Sequence, residues 1–160
     1  MAVIGIITNK DNIIEEEEEL KKYDIDTKNI IIINEKSIEN FKNIKFDILV
    51  IYEKITVNES IKKIIKLSKY LIINTDYIEN IKLLDEQIET YVITFGFNSK
   101  ATVTIVSNEN EEIILSVQRE IINLQGNKIE CMEIKMKNNN CKNRIYKDIS
   151  MKILTILVKI

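Results

Sequence analysis

Histidine and proline are missing from this chain altogether, and 160 residues hold only three glycines and two cysteines. Without histidine there is no ordinary zinc site and no His-dependent nucleophilic triad. Ser37 and Ser60 lack a Gly-x-Ser-x-Gly elbow as well as the usual activating base. No metal site and no catalytic residue are therefore expected. Cys131 and Cys141 form no CxxC pair and read as two reduced thiols. The scarcity of glycine matters most at the first strand, Ala2–Thr8, which runs straight into Asn9-Lys10-Asp11-Asn12. A nucleotide-binding α/β domain turns a glycine-rich loop here so that backbone N–H groups reach a phosphate, usually with a Lys-Ser/Thr pair for phosphate and Mg²⁺. Flavin and nicotinamide sites need a glycine-rich first turn too, so no cofactor is expected.

Charge and hydropathy exclude further classes. With 23 basic against 25 acidic residues the net charge is -2, which supplies no basic field for nucleic acid. No apolar run reaches the ~18 to 20 residues of a membrane span. Strand-like residues begin at Ala2 with no cationic start or small-residue cleavage site, so no secretory signal is read and a cytoplasmic location is expected. The absence of proline and of any linker-like stretch argues for one continuous domain over residues 1–160.

Periodicity describes how that domain is built. Ala2–Thr8, Asn29–Asn34, Phe46–Tyr52, Tyr70–Ile73 and Tyr91–Phe95 are short, Ile/Val-rich and barely alternating, as parallel strands buried on both faces are. Between them lie helical stretches. Ser60–Lys69 places Ile61, Ile64, Ile65 and Ser68 on one face and Lys62, Lys63, Lys66 and Lys69 on the other. The acidic run Glu15–Glu19 reads as a solvated helix face in which Glu17 and Glu18 pair with Lys21 and Lys22. After Gly96 the pattern alternates: Ala101–Val106, Ile113–Arg119 and Ile129–Lys137 form an antiparallel meander, connected by Ser107–Glu112 and Ile121–Asn127. A final helix, Arg144–Val158, carries an apolar face of Ile145, Ile149, Ile153, Ile156, Leu157 and Ile160. That face must bury against something: docking on the sheet is favoured, self-association comes next, and a membrane-surface contact last. The expected fold is three-layer α/β and Rossmann-like, with about five mostly parallel strands over residues 1–97 and a β meander plus closing helix over 98–160.

The order of several segments resembles a known family. Leu71-Ile72-Ile73-Asn74-Thr75-Asp76, then Tyr91-Val92-Ile93-Thr94-Phe95-Gly96 and Ala101-Thr102-Val103-Thr104, are similar to the second half of the central, ATP-binding domain of the Mur ligases. These bacterial enzymes add amino acids to peptidoglycan precursors. Asn143-Arg144-Ile145-Tyr146-Lys147 stands where the family has a His-Asn-x-x-Asn-Ala-Leu segment, and Val3–Lys10 gives a fainter echo. The departures are chemical. Of the family's Gly-Thr-x-Gly-Lys-Thr/Ser loop only Lys10 remains; Arg144 and Lys147 replace the asparagines that the resemblance puts near adenine; and Tyr77 replaces the second Asp of the Asn-x-Asp-Asp segment. The chain is also too short for the family's flanking domains.

The resemblance implies a fold stripped of ligase chemistry: a pseudoenzyme serving as a binding or interaction module, with an unknown protein or small-molecule partner. The alternative is a nucleotide-binding regulatory protein with a weakened ATP site at Thr8, Lys10, Asn74 and Asp76. Each of these also has a plain structural reading. Asp76, three residues before Glu79, has the spacing of a helix cap over Tyr77–Gln87. Asn74 at a strand end suits a bond to its neighbouring loop, and Lys10 sits in a polar turn. A carboxylate phospho-acceptor site fails because Thr8-Asn9 and Tyr52-Glu53 occupy the required positions.

Overall fold

The computed structural model describes residues 1–84, 87–138 and 144–159. Its main sheet begins with five parallel strands: β1 (Ile4–Thr8), β2 (Ile30–Asn34), β3 (Ile48–Ile51), β4 (Tyr70–Asn74) and β5 (Tyr91–Gly96). It continues without a break through β6 (Val103–Glu109) and β7 (Glu112–Val117), followed, after the small β8 (Ile121–Ile122) and β9 (Lys128–Ile129) pair, by β10 (Met132–Lys137). The spatial order is β10-β7-β6-β5-β4-β3-β1-β2. The α/β class is as expected, and the meander strands belong to the same sheet. β6 lies parallel to β5, with Phe95 opposite Val103, and β7 alone runs against the other strands of this sheet, pairing antiparallel with β6 on one side and β10 on the other. The segment Ile129–Lys137 also divides, its first residue pairing back onto β8.

Parallel strands explain the unbroken apolar runs. Side chains alternate across the sheet, so Ile4, Ile6, Ile48, Val50, Ile72 and Ile93 face one layer while Ile7, Leu49, Ile51, Leu71 and Ile73 face the other. Over the first face lie α1 (Ile13–Leu20) and α4 (Ile145–Val158); over the second lie α2 (Glu59–Leu67) and the 3₁₀ segment Glu35–Phe41, and α3 (Ile78–Ile81) leads into Leu83, which is buried in that second layer. Gly5 permits this packing beneath the second layer, because a Cβ there would come within 2.9 Å of the Phe46 ring.

Two helices differ from expectation. The stretch Tyr77–Gln87 yields only the single turn of α3, after which Leu83 and Leu84 bond back three residues to Asn80 and Ile81. Asn80 explains the short helix. It is fully buried, donates to the Glu53 and Asn74 carbonyls, and accepts from the Ile55 N–H, so it serves the neighbouring loops. Residues 85–86 lie outside the described set. α4 docks on the sheet as its apolar pattern demands: Ile149, Ile153, Leu154 and Leu157 are buried among the strands, whereas Ile156 is half-buried. Ile160 lies outside the described residues. No helix among the described residues is long and apolar enough to cross a membrane.

Removing one methylene at Ile153, which is 2% exposed, should lower stability by about 1 kcal/mol in Ile153→Val. Ile153→Asp, which buries an unpaired charge, should cost more than about 4 kcal/mol. Urea unfolding of the two variants should show this graded order.

Candidate functional site

In an open α/β sheet, ligands collect beyond the carboxyl ends of the strands where the chain direction reverses across the sheet. Here β2 leaves β1 on one side and β3 lies on the other, so the crevice is framed by the ends of β1 and β3. Two of the expected residues stand there. Thr8, fully buried, donates through Oγ1 to Glu53 Oε2 at 3.1 Å and accepts from the Lys10 N–H at 3.1 Å. The Asn9 N–H also donates to Glu53, at 3.0 Å. These bonds shape the short turn after β1 without glycine. They also aim Lys10 Nζ inward to the Glu16 carboxylate, with Glu53 a further 3.7 Å neighbour.

Glu16 is the centre of the site. Asn12 caps α1 by accepting from the Glu15 N–H, and the helix then turns Ile13, Glu16 and Leu20 towards the sheet at steps of three and four. Its carboxylate takes three donors: Lys10 Nζ, Lys147 Nζ at 2.7 Å and the Tyr52 hydroxyl at 2.7 Å. Lys147 is 2% exposed and comes from the first turn of α4, on the side it shares with the buried Ser150, Met151 and Leu154. It also bonds Glu19 Oε2 at 2.6 Å, and Arg144 completes the chain of charges to Glu19 Oε1 at 2.7 Å. The Lys147 ammonium further lies 5.9 Å from the centre of the Tyr52 ring.

The electrostatics follow from these partners. Burial pushes the Glu16 carboxyl up, but hydrogen bonds from Lys10, Lys147 and Tyr52, with the Lys147 charge, hold it below the ordinary value. The Lys147 hydrogen bond and charge, with help from Arg144, bring Glu19 down to about 2. Burial and the Glu16 charge drive the Tyr52 phenol far above its usual range, so it remains a donor.

The other two expected residues form a second cluster at the ends of β4 and β5. Asn74 is fully buried, donating to the Tyr52 carbonyl at 3.1 Å and accepting from the Asp76 N–H at 3.0 Å, the loop-bonding role its position suggested. Asp76 does not cap α3. The cap position is Tyr77 and no side chain fills it, while Glu79 pairs outward with Lys54 at 2.9 Å. The Asp76 carboxylate instead accepts from the N–H groups of Phe97 (2.8 Å) and Asn98 (3.2 Å) and from the Tyr146 hydroxyl (2.8 Å). Gly96 makes room for it, with φ +152 and no Cβ to strike the carboxylate. Tyr146 packs edge-on against Tyr77, Phe95 and Phe97, and burial together with Asp76 raises its phenol well above normal. Phe95 is core, whereas Phe97 is 49% exposed.

Thr8, Lys10, Asn74 and Asp76 thus share one edge of the sheet but divide into two clusters that Tyr52 bridges, through its hydroxyl to Glu16 and its carbonyl to Asn74. The acidic run is only partly a solvated face: Glu15, Glu17 and Glu18 are exposed, but Glu16 and Glu19 point inward and pair with α4. Reading the run as one solvated face missed the two acids that share the inward side with Ile13 and Leu20. Lys147, which stands off the polar stripe of Asp148, Lys152, Thr155 and Lys159 on α4, was the matching signal. Among the described residues, every buried side-chain nitrogen or oxygen has a hydrogen-bond partner, and no group of three His, Cys, Asp or Glu side chains could hold a metal ion. No protein-family model matches the chain, and no curated protein matches it.

Removing one side of a buried ion pair strands the other. Lys147→Met should therefore cost about 3 to 5 kcal/mol in urea unfolding, and Lys10→Met, at a lysine whose side chain is 47% exposed, less than about 1 kcal/mol. The pH dependence has a definite sign. Since folding lowers the Glu19 pKa, its contribution is full above the ordinary carboxylate range and disappears as pH falls through about 2. The stability difference between the parent and Glu19→Gln should be constant near neutral pH and shrink progressively between about pH 4.5 and 2.

Proposed function

We propose that this chain is a non-catalytic binding or interaction module on a fold like the Mur ligase central domain, with the nucleotide crevice closed by its own side chains. The observation that carries this reading is Glu16, whose carboxylate draws Lys10, Lys147 and Tyr52 together at the ends of β1 and β3. A phosphate entering there would have to displace a carboxylate already held by two cations and a hydroxyl. The turn after β1 offers no glycine to bring backbone N–H groups around it. The residues that replace the family's adenine-side asparagines, Arg144 and Lys147, are engaged with Glu19, and Asn74 and Asp76 serve neighbouring loops. The reading accordingly gives the protein no ligase activity, and its partner, protein or small molecule, would meet another surface.

Isothermal titration of the intact chain with Mg-ATP tests it. No saturable heat is expected through the micromolar range. Micromolar binding that is lost in Asn74→Ala, with the circular dichroism spectrum unchanged, would overturn the reading in favour of a nucleotide-binding regulator.

A further inference from the structure

The two borders of the main sheet are unlike. β10 ends it on one side with Glu133, Lys135 and Lys137 exposed, the scattered charge that keeps an edge strand from pairing with another chain. β2 ends it on the other side with Ile30-Ile31-Ile32-Ile33-Asn34, which holds no charge and no proline. It pairs with β1 alone, in unbroken register from Ile30 to Asn34, so no bulge twists it away. Ile30, Ile31 and Ile32 are only half-buried. Beside the edge, on the α1 side, a cleft of about 190 Å³ is lined by Glu17, Leu20, Lys21, Thr27, Ile30 and Ile32. The strand's outer row of backbone N–H and C=O groups forms no sheet pairing with any described residue.

We infer that β2 pairs antiparallel with the β2 of a second copy of this chain, joining two eight-stranded sheets across a two-fold axis. Symmetry and charge together select the register. A two-fold axis normal to the sheet keeps each side chain on its own face, so some residue must lie opposite its own copy. With Ile31 on the axis, Ile30 meets the partner's Ile32 on the α1 side, and Lys28 faces the partner's Asn34 beside its Glu35. Four isoleucines then lie across the junction between the two clefts. Centring on Ile32 instead sets Ile30 against the partner's Asn34 and, two residues further out, Lys28 against its Lys36. Centring on Ile30 sets Lys28 against the partner's Ile32. The Ile31 and Ile32 registers make equally many Ile–Ile pairs, the first setting Ile33 against the partner's Asn29, and of the two only the Ile31 register avoids like charges. A second copy fits because the strand is complementary to itself in this register. The contact is a five-residue strand edge plus the flanking cleft, at the small end of specific interfaces, as a transient dimer would have.

Sedimentation equilibrium of the intact chain should show a concentration-dependent monomer–dimer exchange. Ile31→Lys should give a monomer at all concentrations with the parent's circular dichroism spectrum, while Met132→Lys on the opposite edge leaves the dimer intact. Ile31→Cys, made with Cys131→Ser and Cys141→Ser, should form a disulfide-linked dimer on mild oxidation, because the two Cβ atoms face each other across the axis. A chain that stays monomeric into the high micromolar range overturns the inference, and so does a monomer that takes up an external β-strand peptide. A dimer lost in Met132→Lys but kept in Ile31→Lys overturns it too. Should Ile31→Lys fail to fold, the cysteine variant decides: cross-linking supports the pairing and its absence refutes it.

Discussion

The Lys147–Glu16 ion pair sets the terms for the rest of this molecule. Both groups are almost fully buried, and removing a carboxylate and an ammonium from water costs several kcal/mol for each ion unless the partners are close and the remaining lone pairs are satisfied. Tyr52, Lys10, Glu19 and Arg144 meet that condition together, and each is placed by a different part of the fold: the end of β3, the turn after β1, the inner side of α1 and the start of α4. α4 can dock in only one rotation, since turning it would carry Lys147 among Ile149, Ile153 and the strand side chains and leave Glu16 bare. The apolar face supplies adhesion, and the ion pair supplies registration.

The same economy governs the polar groups at the carboxyl edge. Asn74, Asn80 and Asp76 have short side chains that reach backbone groups of adjacent loops, so the ends of β3, β4 and β5 are cross-braced by amides and a carboxylate. Asp76 gathers two backbone N–H groups at the corner leaving β5 and adds the Tyr146 hydroxyl from α4. α4 is therefore tied at both clusters, through Lys147 over β1 and through Tyr146 over β5. An edge where open α/β sheets usually present unfilled polar groups is here occupied from within.

Much of this was legible in the sequence where the signal is local. The five Ile/Val runs appear as parallel strands because burial on both faces removes alternation, and α4 shows its docking face through the spacing of its isoleucines. The joining of the meander to the sheet was not legible, since alternation in Val103–Ile105 is the same whether β6 pairs with β5 or stands apart. The cap expected of Asp76 failed because capping boxes are defined by spacing alone, and spacing does not reveal that Gly96 opens a place for the carboxylate on another strand. Glu16 escaped notice for a similar reason. A glutamate within an acidic run is read by its neighbours in sequence, and the cation that fixes its role lies 131 residues away.

That separation bears on how the chain comes to be folded. Everything α1 needs to lie flat on the sheet, apart from charge neutrality, is encoded within the first strands. Its inner carboxylates acquire their buried cation only when α4 arrives. Emerging from a ribosome, residues 1–137 would leave Glu16 with Lys10 and the Tyr52 hydroxyl, and Glu19 without the Lys147 and Arg144 cations it pairs with in the folded chain. Pairings this remote are slow to form. The layer containing α1 therefore sets after synthesis has passed α4, while the α2 layer, whose contacts are made within the first 92 residues, is free to set earlier.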